Sequence, residues 1–522
     1  MRNAIVAAIV LACAASAADQ VKVEGGSLEG TTGRVAGIRI FKGVPFAAPP
    51  VGELRWKAPK PVASWTGVRK ADEFGDRCIQ TSPFPDQIWR DRAESEDCLS
   101  LAIWTAAKSA SEHRPVMVWF YGGGFFSGSA DEPRYDGEHL AAKGVVVVNV
   151  NYRLGLMGFY AHPELTEESD RNASGNYGLM DQTAALEWVQ KNIAAFGGDP
   201  RNVTIFGESA GSFSVSAQMA SPLAKGLFVK AIGESGAFFP ASAGGLDLIS
   251  LKEAEQRGVR FAAAVGATSL AALRAKPASE LREVSVERHM TFGPIVDGYF
   301  MPTDALTIYS EGRQARVPLL AGWNRDEVRF VPMMSKEKPT AAAFPKQLKT
   351  QFGAKADAAL KVYPSGTDAE AKESAGDLAS DNFISYSTWK WIELQAKTSG
   401  KPVYRYLFSE VAPFRPPSDM KPEIRGASHA SEIDYVFDSL DLSKAAWTDA
   451  DRKLADQMSS YWTNFAKHGD PNGAGLPKWP AYSEKTGYEV MTLDADSHAT
   501  PAKHRDRYEF LDSVAADARA KK

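Results

Sequence analysis

Apolar positions in this chain gather into unbroken runs rather than alternating with polar ones. Examples are Pro115–Tyr121 (PVMVWFY), Gly144–Tyr152 (GVVVVNVNY), Asn202–Ser209 (NVTIFGES), Val229–Gly236 (VKAIGESG), Val317–Asn324 (VPLLAGWN) and Pro402–Phe408 (PVYRYLF). Runs this apolar and β-branched predict strands covered on both faces, as in a mostly parallel sheet. Between two of them Leu186, Val189, Ile193 and Phe196 step by three, four and three. That spacing draws one apolar stripe on a helix, which Gly197, Gly198 and Pro200 bring to an end. Strands alternating with helices predict an α/β fold around a central sheet.

Other stretches depart from this rhythm. The first hundred residues hold short strand-like pieces such as GIRIFKGVPFA, rich in glycine and proline, and predict a small antiparallel edge with loops. The stretches from about Ser242 to Arg288 and from about Lys336 to Ser399 read as helical excursions placed to roof a pocket. No internal repeat or low-complexity linker interrupts the chain, so residues 19–522 read as one large domain.

The N-terminus, MRNAIVAAIVLACAASAADQ, has a positive start at Arg2, an apolar core from Ala4 to Ala12 and a small-residue Ala15-Ser16-Ala17 pattern. Residues 1–18 are therefore expected to be a secretory signal, and the protein to be secreted or periplasmic. Lipid anchoring at Cys13 is the alternative, disfavoured by Leu11 in VLAC. Removal of Cys13 leaves Cys78 and Cys98, which an oxidising compartment favours as a disulfide over two buried thiols. The formal charge of −4 gives no support for nucleic acid or an anionic membrane surface as partner. No later segment is long and apolar enough for stable membrane insertion.

Candidate chemistry sits at one strand end. In TIFGESAGSFSVSAQMA, Gly207, Ser209 and Gly211 occupy alternate positions between a strand and a helix. A serine hydroxyl is a weak nucleophile until a base takes its proton. A tight strand–turn–helix corner exposes that oxygen, and glycines on both sides relieve the crowding. The helix that follows aims its free N–H groups at the corner. A second run, Gly233–Ala237 (GESGA), lacks the second glycine, so Ser235 is expected only as a strand-end residue near the site. Gly122, Gly123 and Gly124 follow a buried strand directly. With the Ala210 N–H they are candidate donors to an oxyanion.

These motifs resemble those of type-B carboxylesterases, the α/β-hydrolase family that includes cholinesterases. The resemblance covers nearly the whole mature chain. It runs through FKGVPFAAPPVGELRWKAP, SEDCLSLAIW, YGGGF, NYRLGLMGF, the long GNYGLMDQTAALEWVQKNIAAFGGDPRNVTIFGESAG and YWTNFAKHGDPN. It implies an α/β-hydrolase fold: a central, mostly parallel twisted sheet flanked by helices, with helical insertions roofing an active-site gorge. The family's acid lies in a G-x-N-x-x-E context, which matches AGWNRDEVRF and hence Glu327. Asp326 is adjacent, and Val328 stands where the family usually has glycine. The family's histidine loop resembles GASHASEIDYVF, hence His429. Of the eight histidines, His429 alone sits in a small-residue loop beside what reads as an acidic strand start. The implied catalytic set is Ser209, Glu327 and His429. Gly123, Gly124 and Ala210 form the implied oxyanion hole, and Cys78 pairs with Cys98. The family needs no metal or cofactor, and no H-E-x-x-H occurs here.

The expected reaction is hydrolysis of a small-molecule carboxylic ester through an acyl-enzyme. An amide or carbamate hydrolase using the same triad is the alternative, and a non-catalytic cholinesterase-like binding protein the remote one. Phe125, Phe126, Phe238 and Phe239 fall beside the motifs. Phe125, Phe238 and Phe239 are candidates for an apolar pocket, with core packing as the competing role. Trp89 is a candidate cation–π surface, with anchoring of its loop as the competing role.

Overall fold

The computed structural model describes residues 20–81, 84, 87–90, 93–239, 248–413 and 425–520. The expected signal segment, with Cys13, and the start of the first helical excursion at 242–247 lie outside them.

The strands of the large sheet are β1 (Thr31–Thr32), β2 (Arg39–Pro45), β3 (Ser100–Thr105), β4 (Arg114–Phe120), β5 (Val146–Val150) and β6 (Gly198–Glu208). They continue with β7 (Lys230–Glu234), β8 (Leu319–Asn324), β9 (Val403–Phe408), β10 (Glu489–Leu493) and β11 (His498–Pro501). Across the sheet they lie in the order β11-β10-β9-β8-β7-β6-β4-β5-β3-β2-β1. From β10 to β5 every neighbouring pair is parallel. Both edges are antiparallel, β1, β2 and β3 at one side and β11 at the other. The unbroken apolar runs become the central strands because both faces are covered. Val116, Met117, Val118, Trp119 and Phe120 of β4 are all 0% exposed. This is the α/β-hydrolase arrangement that the motifs imply.

The helices that matter here are α1 (Tyr177–Asn192), α2 (Ala210–Ala220), α3 (Leu251–Ala264), α4 (Ala278–Glu287), α5 (Asp368–Ser380), α6 (Tyr386–Thr398) and α7 (Asp449–His468). The stripe of Leu186, Val189, Ile193 and Phe196 is fully buried. α1 stops at Asn192, a 3-10 turn carries the stripe on, and Gly197 closes it at φ +81°. The two helical excursions hold α3 and α4, and α5 and α6. The first also contains a two-residue strand, Ile249–Ser250, that the sequence pattern does not signal, and the acidic segment after His429 that reads as a strand start is instead a short helix, Ile433–Phe437.

The amino-terminal region is more mixed than a plain antiparallel edge. Gln20–Val23 and Gly26–Glu29 pair antiparallel, but Val68–Lys70 joins them in parallel. Arg77–Cys78 and Glu94–Ser95 also pair in parallel. That pairing brings Cys78 and Cys98 together, and they are bonded, with Cα atoms 5.0 Å apart. One contiguous hydrophobic cluster runs from Val21 to Ala515. Among the described residues no helix is long and apolar enough to cross a membrane.

The chain leaves β4 for β5 on one side and later returns to β6 on the other. The order therefore reverses around β4, and the carboxyl ends of the strands there are where open sheets of this kind form their ligand crevice. The glycine loop after β4, Ser209 after β6, Ser235 after β7 and Glu327 after β8 all emerge at that end.

Candidate active site

Ser209 sits at the corner between β6 and α2 with φ 53° and ψ −122°, a conformation that L-residues rarely adopt. Its N–H donates to the Glu234 carbonyl at 2.8 Å, and its own carbonyl accepts the Phe213 N–H at 2.9 Å. The flanking glycines are needed for close approach. A methyl group on Gly211 would stand 1.8 Å from the Phe120 carbonyl oxygen, and one on Gly207 2.6 Å from the same atom. The corner is pressed against the end of β4, and any side chain there would push it off.

Three distant segments meet at this corner. His429 Nε2 lies 2.9 Å from Ser209 Oγ, and His429 Nδ1 lies 2.6 Å from Glu327 Oε2. Glu327 is 0% exposed, while the His429 side chain is 23% exposed toward the crevice. Backbone hydrogen bonds fix the acid turn to the histidine loop. The His429 N–H donates to the Glu327 carbonyl and the Asp326 N–H to the Ala427 carbonyl, each at 3.0 Å. The Asp326 carboxylate turns away from the imidazole, accepts the Ala427 N–H at 2.9 Å and pairs with Arg325 and Arg329. The sequence neighbours Asp326 and Glu327 thus part company: one clamps the loop and the other meets the ring. Val328 is accommodated in an ordinary turn, its carbonyl accepting the Val331 N–H at 2.9 Å.

The glycine loop abuts the corner. A methyl group on Gly122 would stand 3.1 Å from Ser209 Cβ. Gly123 and Gly124 have φ of +104° and +64°, which leaves their amides out of regular pairing geometry. Ala210 opens α2, so its N–H is among those a helix cannot satisfy internally.

Sequence reasoning overlooked the buried acids around this centre, and it placed Ser235 near the site without its bond to Glu327. Glu208, the residue before Ser209, has Oε1 3.2 Å from His429 Nε2. Ser235, with φ 58°, donates its hydroxyl to Glu327 Oε1 at 2.6 Å, and the Asn324 N–H donates to the same oxygen at 2.8 Å. Asn324 Nδ2 donates to Glu432 Oε2 at 2.5 Å and to the Ser428 carbonyl at 2.8 Å. Glu234 accepts the Trp462 indole N–H at 2.7 Å. The only sequence signal was the repeated GES at two neighbouring strand ends.

Crowding of carboxyls decides their protonation. Burial holds the Glu208 carboxyl above its ordinary range against the pull of His429. Burial, then Glu432, pushes Glu234 up well above that range, and burial with Glu327 pushes Glu432 up to about 7. Burial alone would lower the His429 imidazole, but Glu208 and Glu327 outweigh it and hold it above its ordinary value.

The expected pocket residues pack inward. Phe125, Phe238 and Phe239 are only 1–4% exposed. Phe125 stacks on Phe238 at 6.0 Å, Phe238 meets Phe213 edge-on at 5.0 Å, and Phe239 meets Tyr309 at 5.1 Å. Phe126 instead faces a cavity of about 410 Å³ beside the glycine loop. Trp89 is half-buried with the Arg77 guanidinium 5.8 Å from its ring centre, so the chain's own cation covers it.

Residues 17–511 match the family model described as "Carboxylesterase family". The chain belongs to the carboxylesterase family. It is 38% identical over 490 residues to a fumonisin B1 esterase of Sphingopyxis macrogoltabida, covering 90% of this chain and 85% of the relative. It is 36% identical over 498 residues to a para-nitrobenzyl esterase of Bacillus subtilis, covering 91% and 95%. A solved structure of PNB esterase superposes with a TM-score of 0.80 at 34% identity, covering 95% of this chain and 99% of that one. The carboxylesterase assignment makes the chain a carboxylic ester hydrolase and accounts for the sheet and the crevice at its carboxyl edge.

Proposed function

We propose that this carboxylesterase hydrolyses neutral carboxylic esters of small molecules through an acyl-enzyme on Ser209. The observation that carries the reading is the relay of short contacts from Ser209 Oγ to His429 Nε2, at 2.9 Å, and from His429 Nδ1 to Glu327 Oε2, at 2.6 Å. His429, neutral with its proton on Nδ1, takes the hydroxyl proton as Ser209 Oγ attacks the ester carbonyl. Glu327 holds the ring and stabilises the imidazolium. Ser235 and the Asn324 N–H occupy the other carboxylate oxygen and keep Glu327 aimed. The amides of Gly123, Gly124 and Ala210 receive the oxyanion, each donor contributing about 3 kcal/mol in the transition state. The C–O bond to the alcohol then breaks, and the alcohol leaves with the proton from His429. Water attacks the acyl-enzyme, gives its proton to His429, and the acid departs as Ser209 regains its hydrogen.

The bonded Cys78–Cys98 pair supports work outside the cytosol, in keeping with the signal pattern of residues 1–18.

The test is rapid mixing with 4-nitrophenyl acetate. A burst of nitrophenolate equal to the protein concentration is expected. Ser209→Ala should remove the burst and lower turnover by a factor on the order of 10⁴ or more. Undiminished turnover in that variant would refute the assignment.

A further inference from the structure

The glycine loop is gripped from outside by the segment that the disulfide closes. Gly122–Gly128 leaves the end of β4 and folds back on itself, the Gly123 carbonyl accepting the Phe126 N–H at 3.1 Å and the Ser127 N–H at 3.0 Å. Gly128, at φ +125°, ends the turn against Tyr121, where a methyl group would meet the ring at 2.4 Å. Three glycines in a row have little conformational preference of their own, whereas oxyanion donors act only when already in place. The φ values of +104° at Gly123 and +64° at Gly124 therefore need support from their surroundings.

Gln80 and Gln87 supply it. Gln80 is buried and spends its amide on the closing end of the loop. Its Nε2 donates to the Gly128 carbonyl at 2.9 Å and to the Cys78 carbonyl at 3.0 Å, and its Oε1 accepts the Gly128 N–H at 2.8 Å. The side chain thus pairs with both polar groups of one residue, as a neighbouring strand would. The Thr81 N–H continues the pairing, donating to the Phe126 carbonyl at 3.2 Å. Between these contacts lies buried Ser127, whose hydroxyl donates to Gln87 Oε1 at 2.5 Å. That hydroxyl has one proton, so Gln80 Oε1, 3.2 Å from it, is left to the Gly128 N–H. Gln87 also flanks Gly123 itself: a methyl group there would stand 3.2 Å from Gln87 Nε2 and 2.2 Å from the Ser127 carbonyl oxygen. Gln80 follows Cys78 closely, so the bond to Cys98 anchors the clasp at its root.

We propose that Gln80 and Gln87 are positioning residues for the oxyanion hole, acting through Gly128 and Ser127 to hold the Gly123 and Gly124 amides on the developing charge. The inference rests on Ser209 as the reacting residue. It adds that the transition state, more than the bound ester, feels the clasp.

The test pairs 4-nitrophenyl acetate with trifluoromethyl butyl ketone. Ser209 Oγ bonds to the ketone carbon, the carbonyl electron pair moves to oxygen and the hydroxyl proton passes to His429, so the adduct carries an oxyanion like that of the ester. Burst amplitude counts the competent molecules, and each rate is referred to it. Gln80→Met keeps the length and removes the amide, and kcat/KM should fall by about 10- to 100-fold. Ser127→Ala and Gln87→Met each break the same hydrogen bond and should cost about 3- to 10-fold, the double variant no more than either single one. In every variant Ki for the ketone should rise by the factor by which kcat/KM falls, because adduct and transition state share the oxyanion. A merely loosened fold would lower the burst and leave Ki alone. If Gln80→Met does not fold, the other two variants decide. Values of kcat/KM within about twofold of native in Ser127→Ala and Gln87→Met, or a fall without the matching rise in Ki, would overturn the proposal. A native chain with neither a burst nor inhibition by the ketone would instead refute the Ser209 reading.

Discussion

At the scale of single residues, the imidazole of His429 has two claimants on one nitrogen. Ser209 Oγ lies 2.9 Å and Glu208 Oε1 3.2 Å from Nε2. An anion beside an imidazolium stabilises the charged ring and delays loss of its proton as pH rises. The base form of His429 is therefore populated only above the ordinary histidine range, and the acid limb of kcat/KM should fall above pH 6.5. Glu208→Gln removes the anion, lowers the ring's affinity for its proton, and should shift that limb to lower pH by about one unit. A pH–rate profile of native and variant protein checks both statements, and an unmoved limb would contradict them. Ser235 makes a second residue-scale case. Ser235→Ala leaves Glu327 Oε1 with the Asn324 N–H as its hydrogen-bond partner, a loss of about 1–3 kcal/mol in a buried site. Steady-state kinetics should show a fall in kcat of about tenfold or more with KM little changed.

At the scale of elements, the corner between β6 and α2 works because three backbones touch. A methyl group on Gly211 would stand 1.8 Å from the Phe120 carbonyl oxygen, so Gly211→Ala must drive α2 away from β4. The cost of such overpacking is about 1–3 kcal/mol, and the shift separates Ser209 from the amides of the glycine loop. Denaturant unfolding should register the loss of stability, and turnover of a nitrophenyl ester a larger, separate loss. Much of this element was legible. Paired glycines at a strand–helix corner state their steric reason in the sequence, and unbroken apolar runs mark strands covered on both faces. The buried glutamates were not legible, because Glu208, Glu234 and Glu432 are far apart in the chain and converge only when strand ends align. Nor did apolar character separate lining from filler: Phe125 and Phe238 stack on each other, whereas Phe126, next to Phe125 in sequence, faces the cavity. Which way a ring turns depends on the backbone of its loop, where Phe125 takes φ 66°.

At the scale of the whole molecule, the large sheet sets the distances and the loops supply the chemistry. Ser209 and His429 lie 220 positions apart, and Glu327 and His429 102, yet hydrogen bonds between the acid turn and the histidine loop bring them into register. The Cys78–Cys98 bond closes a loop of about 20 residues that includes Phe84, stacked on Phe126, and Trp89, under the Arg77 guanidinium. Closing a loop of that size stabilises a fold by about 3 kcal/mol. Cys78→Ser with Cys98→Ser should lower the free energy of unfolding by about that amount, read from denaturant midpoints. The mixed pairing of the amino-terminal strands was hidden for a related reason. Pieces of two to four residues, such as Val68–Lys70, carry too little pattern to announce their partners.

The central claim is that Ser209 forms the covalent bond to substrate. Its most direct measurement is mass spectrometry of peptides after brief reaction with an excess of a fluorophosphonate ester. One adduct per chain is expected, on the peptide that contains Ser209, with none in Ser209→Ala. An adduct on any other residue, or ester hydrolysis that survives full modification of Ser209, would contradict the account.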